Sequence, residues 1–132
     1  MIQASELRIG NKFSKFNQET GTWQLITIGV KDIECAVDFP KVFAAFYEPI
    51  KLSPYYLEKL GFEYDEGMES YDLFIAQSGL LSIASDNSFF IGHDHVECGF
   101  AGGNKALVKY LHQLQNIYRD LSGTELDVPE RL

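Results

Sequence analysis

The chain has 132 residues, 45% hydrophobic and 23% charged, a size and balance that suit one folded domain and exclude a disordered chain. Its net charge of −8 is confined to one half: seven basic and seven acidic residues cancel over 1–61, whereas 62–132 carries four basic against twelve acidic residues. That half repels phosphate backbones, so nucleic acid is disfavoured as a partner. The longest uncharged run, residues 73–85, is too short to span a bilayer, which takes about 20 apolar residues, so no membrane partner is expected. The first residues show no basic start followed by an apolar run. Cys35 and Cys98 are therefore expected as reduced thiols, in a cytoplasmic protein.

In chain order, Leu7 and Ile9 alternate with polar residues before the turn signal Gly10-Asn11, and Phe13 follows. Residues 23–30 are rich in β-formers and follow a hairpin loop at 18–22. Ile33, Cys35 and Val37 alternate again until Pro40 breaks the run, and residues 42–47 are the next strand candidate. Four or five short strands over 1–52 predict a small barrel-like set of SH3-like size. The next helix is specified residue by residue. Ser53 is an N-cap, Pro54 suits the first helical position, and Leu52 and Leu57 can staple the entry. Gly61 offers the left-handed stop and Phe62 folds back on Leu57, which predicts a helix over 54–60.

Residues 71–76, 80–84 and 89–91 predict an antiparallel meander with turns at Ser78-Gly79 and Asp86-Asn87, and 95–98 adds a fourth strand. A long helix is predicted over 105–121, capped by Asn104 and stopped by Gly123. Leu107, Leu111, Leu114, Tyr118 and Leu121 form its apolar stripe, expected against one face of the meander. The other side carries Lys109, His112, Asn116, Arg119 and Asp120. The predicted class is α+β: one domain, 1–132, made of the strand set 1–52 and a part 53–132 that holds the helix, the meander and the long helix.

Three stretches, ELRIGN at 6–11, PIKLSPYYLEKLGF at 49–62 and VKYLHQLQNIYRDLSGTEL at 108–126, resemble a family of small uncharacterised proteins of bacterial genomes and prophages. The run His112 to Asn116 is their most distinctive part. The sequence departs from the family pattern at Pro54 and at Arg119-Asp120. The resemblance implies a one-domain bacterial protein and transfers no site residue.

Several clusters invite a chemical reading. His93, His95 and Cys98 could ligate zinc with His112 or Asp86, but no C-x-x-C or H-E-x-x-H framework accompanies them, and a solvent-facing hairpin is the favoured account. The loop from Gly99 to Lys105 enters a helix N-terminus yet lacks the P-loop and dinucleotide patterns. Glu63, Asp65, Glu66, Glu69 and Asp72 crowd one stretch without a base; they could ligate calcium, though their order does not match an EF-hand loop, or present a patch to a basic partner, and a solvated turn is the favoured account. His112, Asn116 and Arg119 share one helix side, read as solvent face or protein contact. The aromatics Phe39, Phe43, Phe46, Tyr47, Tyr55 and Tyr56 suit core packing better than a peptide groove. No catalytic residue, cofactor or metal is assigned. The expected function is a non-enzymatic interaction protein, an accessory factor of a mobile element with a basic protein partner. The alternative is an enzyme or small-ligand binder with its site between the strand set and the meander.

Overall fold

The computed structural model describes residues 2–67, 69–75, 79–84, 89–91, 96–97 and 108–129. The chain divides into two compact units: Met1–Lys51 together with Tyr110–Asn116, and Leu52–Lys109 together with Ile117–Glu130. Antiparallel sheets, short helices and a C-terminal helix make the class α+β, as the sequence predicts. Among the described residues no helix is long and apolar enough to cross a membrane.

The first unit is built on a hairpin. Strands β1 (Lys12–Asn17) and β2 (Thr22–Thr27) pair from Lys12↔Thr27 to Asn17↔Thr22. Their loop is closed by Asn17, whose Oδ1 accepts the Glu19 N–H at 2.9 Å, and by Gly21, whose φ of 69° an L side chain rarely adopts. The two segments expected to continue the strand set are instead helices, α1 (Val30–Asp38) and α2 (Pro40–Phe46). The local reasons are identifiable. Asp32 accepts the Gly29 N–H at 2.9 Å, half of a capping box, and Pro40 occupies a first-turn position where no donor is needed. The apparent alternation of Ile33, Cys35 and Val37 is not a strand face. Val37 is 62% exposed, while Ala36, three residues after the partly buried Ile33, joins the core at helical spacing.

A third strand, β3 (Tyr47–Pro49), pairs with β1, giving the order β2-β1-β3. The barrel-like set expected over 1–52 is thus a three-stranded sheet with two helices. Leu7, Phe13, Ile28, Ala36, Phe43 and Tyr47 form its buried core.

In the second unit the capped helix is α3 (Pro54–Lys59), as predicted. The Tyr56 N–H donates to Ser53 Oγ at 3.3 Å, Gly61 turns at φ 97°, and the Phe62 N–H reaches the Leu57 carbonyl at 3.0 Å. Leu57 and Phe62 are both buried. Next come β4 (Glu63–Asp65), β5 (Ser70–Ile75), β6 (Gly79–Ala84), β7 (Phe89–Ile91) and β8 (Val96–Glu97), in sequential antiparallel order. This is the predicted meander, extended by β4, a segment that reads as a turn in the sequence.

The C-terminal helix α4 is Leu111–Ser122; of the predicted span 105–121, residues 105–107 lie outside the described residues and 108–110 precede the helix. Lys109 and Tyr110 are drawn into strand-like pairing: Tyr110 bridges Lys51, the Leu52 N–H donates to the Lys109 carbonyl at 2.9 Å, and the Leu111 N–H donates to the Ile50 carbonyl at 2.8 Å. The Tyr110 N–H is held by Gln113 Oε1 at 3.1 Å, and Gly123 ends the helix at φ 77°. Leu111 and Leu114 are fully buried, but this end of the stripe belongs to the first unit, not to the meander. Asn104 and Leu107 lie outside the described residues.

Candidate functional site

The acidic segment 63–72 is a hairpin edge rather than a turn. The β4–β5 register sets Glu63 opposite Asp72, Tyr64 opposite Tyr71 and Asp65 opposite Ser70. Alternation then places Glu63, Asp65 and Asp72 on one face and the two tyrosine rings, 5.0 Å apart, on the other. Glu63 opposite Asp72 is a like-charge cross-strand pair, an arrangement that disfavours the fold locally. The carboxylates are partly organised: Asp65 Oδ1 accepts the Gly67 N–H and Asp72 Oδ1 the Ser70 hydroxyl, each at 2.9 Å. Glu69 adopts a left-handed φ of 51°, uncommon for a residue with a side chain. Glu63, Asp65, Glu66 and Asp72 line a depression of about 650 Å³. Phe74, 64% exposed and on the same face of β5 as Asp72, lines it too, and Tyr64 borders it from a position whose ring lies on the other face. Carboxylates beside an open aromatic ring suit a guanidinium or ammonium group, by ion pairing and by cation–π attraction.

The second predicted surface does not exist as such. His112 and Asn116 were expected on a solvent-facing stripe with Arg119, and the structure corrects this. His112 is completely buried, with its ring 4.9 Å from that of Phe13 and 5.8 Å from that of Tyr110. Its Nε2 stands 3.5 Å from Glu6 Oε1, near enough to feel the charge, but neither ring nitrogen makes a hydrogen bond. Burial lowers the His112 pKa below 6.5, and the nearby Glu6 only partly opposes it.

Asn116 accepts from Asn11 Nδ2 and donates to the Glu6 carbonyl, both at 2.9 Å. Gln115, absent from the sequence-based candidates, does the same work beside it. Its Oε1 accepts the Lys12 N–H at 2.8 Å and its Nε2 donates to the Gly10 carbonyl at 3.1 Å. Asn11, 2% exposed, also accepts the Arg8 N–H at 2.7 Å. The stretch 6–11 and the run 112–116, which lies within the stretch 108–126, are thus bonded to each other. An amide supplies a donor and an acceptor together, which is what an irregular backbone entering β1 requires. Arg119 is separate and exposed, paired with Glu125.

The first unit also carries a cleft of about 590 Å³ between β1, β2 and the helices α1 and α2. Lys15, Phe16, Ile26, Cys35, Phe46 and Tyr47 are among its lining residues. The Tyr47 hydroxyl donates to Asp32 Oδ1 at 2.5 Å; burial first, and that carboxylate second, hold the phenol's pKa well above its ordinary value. The aromatic stretch therefore divides. Phe43 and Tyr47 are core, Phe46 lines the cleft, and Phe39 and Tyr55 are exposed.

His93, His95, Cys98, Asp86 and the loop from Gly99 to Lys105 lie outside the described residues. Among the described residues no group of three or more His, Cys, Asp or Glu side chains is placed to hold a metal ion. Comparisons with protein-family models, with curated proteins and with solved structures find no match to the chain.

Proposed function

We propose that the chain is a non-enzymatic interaction protein whose acidic hairpin receives a basic segment of a protein partner. One observation carries this reading: four carboxylates, Glu63, Asp65, Glu66 and Asp72, line one depression beside the exposed ring of Phe74. A solvated loop would spread such charges apart, yet here the β4–β5 register holds Glu63 and Asp72 opposite each other. A bound Lys or Arg side chain relieves that repulsion. The excess negative charge of residues 62–132 adds long-range steering of a basic partner. The resemblance to proteins of bacterial genomes and prophages extends the proposal to a cytoplasmic accessory factor of a mobile element.

The test is calorimetric titration with a short peptide rich in Arg and Lys, at about 0.05 M and about 0.5 M salt, against the variant Glu63→Gln, Asp65→Asn, Glu66→Gln, Glu69→Gln. Saturable binding that weakens with salt and is lost in the variant supports the reading, since screening at the higher salt acts within a few ångströms. Equal binding by the variant, or no binding by the natural chain, overturns it.

A further inference from the structure

The two sheets end in edges of different kinds. In the second unit the terminal strand β4 is three residues long and two of them, Glu63 and Asp65, are acidic. A short, charged edge resists further pairing. In the first unit the terminal strand β2 has six residues, TWQLIT, with no charge and no proline. β-Branched and aromatic residues of this kind favour pairing, and nothing in the strand blunts it.

The register shows what that edge offers. The Ile28 N–H donates to the Asn11 carbonyl at 2.8 Å, and the pairs from Lys12↔Thr27 to Asn17↔Thr22 continue the ladder without a slip. Successive residues of an antiparallel strand turn their backbone groups to alternate sides. Thr22, Gln24 and Ile26 therefore bond to β1, and Trp23, Leu25 and Thr27 turn their N–H and C=O groups outward. No strand lies on that side in the order β2-β1-β3, and among the described residues nothing hydrogen-bonds to those groups. The side chains leave the edge open as well: Trp23 is 44% exposed, and Thr22, Gln24 and Thr27 are exposed.

We propose that β2 pairs antiparallel with β2 of a second copy of this chain, about a two-fold axis at Leu25. In that register Leu25 stands opposite Leu25 and Trp23 opposite Thr27 of the other copy, so every outward N–H meets an outward carbonyl. A centre at Gln24 sets Thr27 against Gly21, which has left the strand at a φ of 69°. The side chains fit a second copy in particular. β2 carries no charge, so it meets no like charge in its own copy across the seam. Lys12, paired with Thr27, donates its ammonium to the Thr27 hydroxyl. The cation is thereby set beside the exposed indole of the other copy's Trp23, within reach of cation–π attraction, and the two-fold axis makes this contact twice. Such pairing uses both β2 edges and closes at a dimer. The inference is independent of the acidic hairpin, which lies in the other unit.

The experiment combines sedimentation of the intact protein over a range of concentrations with hydrogen exchange of individual backbone amides. The expected result is a reversible monomer–dimer equilibrium. The amides of Trp23, Leu25 and Thr27 should exchange more slowly at high concentration, whereas those of Gln24 and Ile26, already bonded to β1, should not change. Leu25→Pro removes an outward N–H and no bond to β1, and should weaken the dimer about tenfold or more. Leu25→Lys, which sets like charges opposite each other, should act in the same direction. Amide exchange on the natural chain stands apart from any effect of these variants on folding. A monomer at every concentration, or a dimer whose Trp23, Leu25 and Thr27 amides exchange as fast as the monomer's, would overturn the proposal. So would growth beyond the dimer, or slowing of these amides only when a separate alternating Thr-Val peptide is added.

Discussion

The hairpin 63–72 and the helix start 112–116 are both dense in polar side chains, and the sequence alone suggests solvent for the hairpin carboxylates and for His112 and Asn116 alike. The structure separates them by chemistry. Glu63, Glu66 and Glu69 of the hairpin are exposed, and the depression that Glu63, Asp65, Glu66 and Asp72 line is open. The carboxamides of Gln115 and Asn116 carry donor and acceptor together, and they satisfy the backbone of Glu6, Gly10 and Lys12 as well as the side chain of Asn11. Polar density alone does not mark a binding surface; what the groups can do for nearby backbone decides whether they are absorbed into the fold.

The largest effect should come from the buried end of α4. Leu114→Asp would bury a carboxylate at a position with no exposure, and no soluble, cooperatively melting protein is expected. A normal thermal transition for this variant would break the assignment of 111–116 to the first unit's interior.

Gln115→Ala should come next. It leaves the Lys12 N–H and the Gly10 carbonyl without their partner, a loss of about 2–4 kcal/mol by chemical denaturation. Gln115→Glu should be nearly as harmful, because a carboxylate accepts from Lys12 but cannot donate to Gly10. If the charged variant were neutral, the amide network would not be structural.

What was legible in the sequence follows from how local its causes are. The helix 54–59 could be read because Ser53, Pro54, Gly61 and Phe62 all act within a few residues of one another. The network joining 6–12 to 112–116 could not, since its partners stand more than a hundred residues apart in the chain. The helix 30–38 reads as a strand because three apolar residues at spacing two imitate one over so short a run, and the apolar run 42–47 is short enough to suit either element. The cap formed by Asp32 on Gly29, and Pro40 at the head of the second helix, were the signals that pointed the other way. Of the candidate site, the carboxylates are visible in the sequence as a cluster, whereas the sharing of one face by Glu63, Asp65, Asp72 and Phe74 depends on the β4–β5 register.

A smaller, pH-dependent effect should come from His112. Its pKa is lowered in the folded state, so the unfolded chain takes up a proton first. The contribution is complete above about pH 6.5 and is lost progressively as pH falls through the folded value. Tm should therefore drop between about pH 7 and about pH 5, and His112→Phe should make that drop shallower. An unchanged slope would show that His112 titrates as an exposed histidine does.

The smallest stability change belongs to the hairpin. Neutralising Glu63, Asp65, Glu66 and Glu69 together should shift stability by no more than about 0.5 kcal/mol per site, with relief of the Glu63–Asp72 repulsion favouring the variant.

The central contrast is tested most directly by measuring Tm and affinity for the Arg- and Lys-rich peptide side by side in two proteins, the four-residue neutralised variant and Asn116→Ala. The account predicts that the neutralised variant keeps its Tm and loses the peptide. Asn116→Ala, stripped of its bonds to Asn11 and Glu6, should lose about 1–2 kcal/mol of stability and keep the peptide. Loss of peptide binding in Asn116→Ala without loss of stability, or its retention in the neutralised protein, would contradict the division between an absorbed amide cluster and an available acidic face.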